Sequence, residues 1–341
     1  MKRKPRRDPN PEPEELPTDW PLVRESLASL PLAGGEVWEV GLRRFPGWVA
    51  ETDPPTRPWM GLVVSASRGL VLSHSVSMDR PAPDWAWHAA ARSMLAPMAG
   101  PALRPSEVRV RSPEELASIS PRLDELGIRA TLAAELGEFE SVFDSLTREF
   151  ESDFDAMALV RIPGIGMESV AFFFAAADAY FGRAPWKRVE GDAILRVECE
   201  GFPRTPWFAI VMGQGGVARG LALYEDLEGL RSLFRSESRS AEKTAMSLAA
   251  LSLVYGAEHE TPIPDVDAAE ENGWPIAGPE AYPSAIRIEG GGPRGLRAAE
   301  VDMLSACLLA VSAFADMSDA ATATARVEAP GGPYAIRMAW E

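Results

Sequence analysis

Two α+β domains, each a mixed or antiparallel sheet packed with helices, are what the sequence predicts. Three observations carry that reading. Short apolar runs such as WMGLVV and WFAIVM have strand composition and strand length. Turn signals of two to four residues, Ser-Arg-Gly at 67–69 and GQGG at 213–216, join consecutive runs as hairpins. Amphipathic segments of helical period are interspersed with them, and 341 residues suffice for two cores. The reading places a disordered tail at 1–19, an N-terminal domain at 20–150 and a C-terminal domain at 160–341.

In the first domain, Val37 to Val49 reads as a strand broken at Pro46-Gly47, and Trp59–Val64 and Leu70–Val76 as a strand pair. Asp84 is placed to cap a helix through WAWHAAARSMLA, which Pro97 and Gly100 end. A strand at Ser106–Val110, a helix at Glu114–Leu126 stopped by Gly127, and a strand at Ile128–Leu132 follow. Apolar residues at 139, 142, 143, 146 and 150 then predict an amphipathic helix over Phe139–Phe150. In the second domain, the reading is a helix at Met167–Phe181, strands at 193–199, 207–212 and 219–224, and a helix at 227–235. Ala241 to Tyr255 reads as a further helix, and 257–295 as an irregular segment in which only AIRI at 285–288 is extended. A buried helix face at Val301, Leu304, Leu308 and Val311 precedes two strands flanking PGGP at 330–333. The run WFAIVM is apolar on both alternating faces, so its sheet should be covered on both sides.

Composition excludes several classes. A net charge of −16 opposes nucleic-acid and anionic-membrane binding, so nucleic acid is an improbable partner. The longest apolar run, VAFFFAAA at 170–177, is too short to span a bilayer, and the basic N-terminus has no apolar stretch of signal-peptide type behind it. Cys199 and Cys307, both in apolar contexts, read as buried thiols of a reducing compartment. The expected location is the cytoplasm. The basic cluster Lys2, Arg3, Lys4, Arg6 and Arg7 reads as a solvated terminus, with a phosphate-binding arm as the alternative.

The candidate sites are few. PGIG at 163–166 looks like the hairpin of a helix-hairpin-helix motif, which contacts DNA phosphates through backbone amides, but the match covers four residues in an acidic context (Asp153, Asp155, Glu168), and a linker opening the second domain is the favoured reading. Gln214-Gly215-Gly216 could cradle a phosphate, yet it joins two strands and lacks the spacing of such loops. Asp265, Asp267, Glu270, Glu271 and Asn272 resemble a calcium loop until Ala269 and Glu270 fall where an oxygen ligand and a glycine belong. A short helix with Asp265 as N-cap and Asn272-Gly273 as C-cap accounts for the same residues. His74, His88 and His259 fall on three different elements, and no nucleophile–base pair or HExxH spacing is present. No catalytic, cofactor or metal residue is assigned. The candidate ligand or partner surface is Gln214, Asp265, Asp267, Trp274 and Tyr282, on the argument that long irregular segments on rigid scaffolds carry function.

Two resemblances add to this. The N-terminal element order resembles the ribonuclease H-like fold, with the hairpin WMGLVVSASRGLVLSHSV in the place of that fold's first two strands. The resemblance implies carboxylates that bridge metal ions, but Ser65 and Arg111 stand at the corresponding positions, so it implies a fold without its activity. The blocks RPWMGLVVSASRGLVL, PGIG with AFFFAAADAYFGRAPW, and WFAIVMGQGGVARGLALYEDLEGL with DAAEENGWPIAGPEAYP together resemble uncharacterised bacterial proteins that pair two domains of unknown function. That family implies no activity. The residues therefore point to a non-catalytic cytoplasmic binding or interaction protein with an unidentified protein or small-molecule partner. The alternative is a nucleic-acid-acting enzyme or a degenerate relative of ribonuclease H-like nucleases.

Overall fold

The computed structural model describes residues 20–150, 152–202, 206–216, 218–235, 247–317 and 320–341. The predicted tail and the first part of the helix read at 241–255 lie outside these. Among the described residues, eight α-helices and thirteen strands divide into two compact units that part after Phe150.

In the first unit, α1 (Trp20–Ala28) precedes β1 (Leu32–Arg44), β2 (Trp59–Ser65), β3 (Leu70–Ser77), α2 (Trp85–Leu95), β4 (Arg104–Val110), α3 (Pro113–Glu125), β5 (Arg129–Leu132) and α4 (Gly137–Thr147). The five strands form one mixed sheet in the order β3-β2-β1-β4-β5. The β1–β2 and β2–β3 pairs are antiparallel, while β1–β4 and β4–β5 are parallel. Alternation along β1 explains the layering. Trp38 and Val40 enter a core with Ala90, Met94 and Ile119 of α2 and α3, whereas Leu62 and Val64 of β2 meet Phe139 and Phe143 of α4 on the other face. Gly41 lets the Phe139 ring lie directly on β1, because a Cβ there would stand 2.6 Å from it.

The first of the sequence-based expectations to fail is the position of the hairpin. It forms β2 and β3, and the strand ahead of it, β1, occupies the middle of the sheet. Ser65 therefore ends the second strand. Asp84 also makes no side-chain cap for α2, since its own backbone is already helical (φ −69°, ψ −11°).

In the second unit, α5 (Met167–Arg183) is followed by β6 (Leu195–Cys199), β7 (Trp207–Met212), β8 (Arg219–Tyr224), α6 (Leu227–Arg235), β9 (Ala250–Gly256), α7 (Ile263–Asn272), β10 (Tyr282–Glu289), β11 (Gly292–Arg294), α8 (Ala298–Ala315), β12 (Thr322–Ala329) and β13 (Gly332–Trp340). These strands form one sheet in the order β11-β10-β9-β8-β7-β6-β13-β12, antiparallel throughout. Helices α5 and α8 cover one face through Phe173, Tyr180, Leu304 and Val311. Leu230 of α6 packs on Phe208 and Ile210 from the other side, so β7 is covered on both faces as its composition predicts.

Residues 250–256 are a strand, not the end of a helix. Leu251 and Leu253 enter the core beneath the helices while Ser252 and Val254 alternate away from it, and a short apolar run bears no mark that separates this from a buried helix. Helix α8 is long and apolar enough to cross a membrane by length and composition, and 78% of it is buried within the unit. Cys199 and Cys307 are both free and buried, and burial pushes the Cys199 thiol up to about 11.

Candidate functional site

The cavity with the most to offer a ligand lies in the second unit, where β9 and β10 meet the start of α7. Its volume is about 340 Å³, within the range of small-molecule sites. Phe154, Met157, Val254, Tyr255, Pro262 and Ile286 make its apolar walls, and Ala218 brings the end of the β7–β8 connection to its rim. Among the described residues, Glu260, Asp265 and Ser284 are its hydrogen-bonding side chains besides Tyr255, and no Lys or Arg lines it. The Tyr255 hydroxyl is directed away, donating to the Ala177 carbonyl at 2.6 Å. Glu260 accepts from its neighbour Ala257 N–H at 3.0 Å and the Ser284 hydroxyl donates weakly at 3.3 Å to the Glu260 carbonyl, so both side chains sit on the cavity wall with capacity to spare.

Asp265, which lines the cavity, belongs to a reciprocal pair of carboxylates. Asp265, in the first turn of α7, accepts from the backbone N–H groups of Leu159 (2.9 Å) and Val160 (3.0 Å). In the other direction, Asp155 accepts from Ile263 N–H at 2.8 Å, satisfying the first amide of α7, and from the Ser152 hydroxyl at 2.6 Å. Each carboxylate answers the orphan amides of the other's segment, which locks 152–160 against the helix. Asp265 is 4% exposed. Desolvation pushes its carboxyl up to about 6, against the two amides that favour the charged form.

The five residues singled out from the sequence are not brought together. Asp265 lines the cavity, but Pro262 takes the N-cap position and the Asp265 side chain serves another segment. Asp267 is half-buried on α7 and outside the lining. Gly273 ends the helix in the left-handed region (φ +64°), as the C-cap reading requires, and Trp274 N–H returns to the Ala269 carbonyl. The Trp274 ring then packs 5.1 Å from Phe174 as a half-buried peg on the core. Tyr282 begins β10 opposite Gly256, next to the cavity without lining it. Gln214 turns the other way and accepts from Gly191 N–H at 2.8 Å. The residues sequence reasoning missed, Phe154, Val254, Glu260 and Ser284, span 130 positions at the extremes and share no local motif.

The remaining motifs also have plain places. PGIG forms the turn into α5, with Gly164 at φ +88° and Gly166 as N-cap. GQGG belongs to the β7–β8 connection, in which Gly213 and Gly216 take positive φ. The Ser65 hydroxyl donates to Glu36 at 2.6 Å, and Arg111 lies 3.6 Å from Glu140, one carboxylate beside each. Among the described residues, no three His, Cys, Asp or Glu side chains form a group that could hold a metal ion.

Two family models match the chain, each described as a domain of unknown function: DUF6930 over residues 25–147 and DUF7309 over 172–328. The chain pairs two domains of unknown function. The first lies within the first compact unit and the second within the other, where it holds Asp265 and most of the cavity lining. No curated protein matches. Among solved structures, a chain of the cryo-EM structure of the simian T-cell lymphotropic virus intasome in complex with PP2A regulatory subunit B56 gamma is similar at 16% identity, with a TM-score of 0.24. The match covers 40% of this chain and 45% of that one, so this chain spans less than half of its length. A likeness of that size carries no argument here.

Proposed function

We propose that this chain is a non-catalytic binding protein of the bacterial cytoplasm whose second domain takes a small amphipathic molecule bearing a cationic group. The observation that carries the reading is the cavity beside Asp265: apolar walls, two carboxylates and, among the described residues, no basic side chain in its lining. Apolar walls supply affinity through desolvation, and a few polar groups fix orientation. Carboxylates in a half-dry site favour an ammonium over a carboxylate ligand. The buried thiols support a reducing compartment.

Calorimetric titration with benzylamine, benzyl alcohol and benzoate tests this. The expected result is saturable binding of the amine, weaker binding of the alcohol and none of the acid, with Ser284→Phe abolishing binding at an unchanged melting temperature. Equal binding of all three, or binding untouched by Ser284→Phe, overturns it.

The rival, a nucleic-acid-acting enzyme, draws support from the β3-β2-β1-β4-β5 order of the first unit, with its mix of antiparallel and parallel pairs. The carboxylates of its central strand are otherwise engaged. Glu36 is held by Trp38, Ser65 and Arg68, and Glu39 accepts from Phe139 N–H at 2.8 Å. Nuclease activity in Mg²⁺ that vanished in Glu39→Gln would favour the rival.

A further inference from the structure

The first unit contains a smaller cavity of opposite character. It lies beside the carboxyl ends of the parallel strands β1 and β4, on the face covered by α4, and has a volume of about 150 Å³. In sheets with parallel strands, the crevice outside the strands' carboxyl ends is where anionic ligands are commonly received. Arg43 from the end of β1, Arg80 from the β3–α2 connection and Arg111 just past β4 line it, against Glu115 of α3 and Glu140 of α4. In a protein of net charge −16, this lining carries three guanidinium groups to two carboxylates.

The arrangement of these charges resembles a receptor for an anion more than a closed ion-pair network. Glu140 alone serves two arginines, with Arg43 Nη1 at 2.6 Å from Oε2 and Arg111 Nη1 at 3.6 Å from Oε1. One carboxylate thus holds two forks side by side and neutralises only one of them. Arg80 is positioned by stacking, its guanidinium carbon 5.1 Å from the Trp59 ring centre. Burial raises the Glu115 carboxyl, and Arg80 acts against that shift from the same lining. The start of α3 is not the attraction, because Ser112 and Glu114 already occupy it.

We propose that this cavity binds the phosphate group of a small molecule, held by Arg43, Arg80 and Arg111. Guanidinium groups match phosphate oxygens in paired hydrogen bonds. The volume, about five waters' worth, admits a tetrahedral oxyanion and little more. Glu140 then acts as the resident competitor that keeps the two arginines aligned when no anion is present.

The test is calorimetric titration of the full chain with inorganic pyrophosphate and inorganic phosphate at low salt, where such contacts are least screened. Expected are saturable binding and a loss of about tenfold or more in Arg80→Ala/Arg111→Ala, as removal of charged hydrogen bonds produces. Both arginines are exposed, so this variant should keep the wild-type melting temperature. Glu140→Gln should bind severalfold more tightly, because it frees Arg43 and Arg111 without removing them. A purely structural bridge would instead lose stability in Glu140→Gln and gain no affinity. No saturable heat into the millimolar range, or wild-type affinity in the double arginine variant, overturns the proposal. So does a short single-stranded oligonucleotide that binds more tightly than pyrophosphate, since it would make the ligand a nucleic acid.

Discussion

One buried carboxylate from each unit is held by opposite means, and the difference shows what sets a buried acid's behaviour. In the first unit, Glu107 lies under Arg109 (2.8 Å), Arg129 and Thr131 (2.9 Å), and the Arg109 guanidinium leads in drawing its carboxyl down to about 2. In the second, Asp265 is held by two backbone amides, with Arg161 a lesser influence, and desolvation wins. Both residues are nearly solvent-free, at 6% and 4% exposure. Burial alone therefore does not fix the direction of the shift; a full countercharge reverses it and peptide dipoles do not. The units differ in charge to match. Residues 20–150 hold 13 basic and 17 acidic side chains, and residues 151–341 hold 16 and 28.

The contrast breaks most sharply at the arginines. Arg287 of β10 is enclosed, its side chain 3% exposed, and it holds Glu225 and, at 3.6 Å, Glu300. Arg287→Ala should cost about 3–5 kcal/mol in urea denaturation, because it removes the enclosed charge that Glu225 and Glu300 share. Arg129 is 71% exposed and shares Glu107 with Arg109 and Thr131, so Arg129→Ala should cost about 1 kcal/mol or less. Similar losses would show that burial of the arginine is irrelevant.

Next in size is the carboxylate clasp. Asp265→Ala strands the amides of Leu159 and Val160 and should cost about 2–4 kcal/mol by the same measurement. A loss under about 0.5 kcal/mol would mean that water replaces the carboxylate.

The pH dependence sharpens the comparison because the two acids pull in opposite directions. Asp265 binds its proton more tightly folded than unfolded, so its contribution is greatest below about pH 4 and is lost as pH rises towards 6. Glu107 binds its proton more weakly when folded, so its contribution is present above the ordinary carboxylate range and is lost as pH falls towards 2. Each amounts to at most about 3 kcal/mol, less for Glu107 because solvent screens Arg129. Denaturation midpoints across pH 2–7 should lose the upper slope in Asp265→Asn and the lower one in Glu107→Gln. A single slope that both variants abolish would refute the assignment.

A modest effect is expected at Trp274. As a half-buried peg on Phe174, truncation to Ala should cost about 1–2 kcal/mol, below the loss typical of a fully buried aromatic. A larger loss would place this segment within the core proper.

Much of the fold was legible because local chemistry repeats along the chain. The strand composition of WMGLVV, the double-sided apolarity of WFAIVM, and Gly273 at a left-handed helix end each declare themselves within a few residues. Where two elements share a local signature, reading failed: residues 250–256 are short and apolar enough for either a strand or a helix, and pairing with β8 and β10 decided the matter. Asp265 looked like a cap because acids near helix starts usually are, but Pro262 already stands at the boundary. Neither cavity was visible in advance. Arg43, Arg80 and Arg111 sit on three separate elements, and Phe154, Tyr255 and Ser284 on three others.

The sequence by itself determined the two α+β domains, most of the strands and helices, and the burial of β7 on both faces, because periodicity and turn chemistry are properties of neighbouring residues. Only the tertiary structure decided that β1 lies at the centre of its sheet, that Asp155 and Asp265 exchange amides across more than a hundred residues, and that one cavity gathers arginines while the other gathers acids. Those facts depend on strand order and on contacts between distant segments, and the free energy that selects them comes from burial of whole surfaces rather than from any residue's local preference.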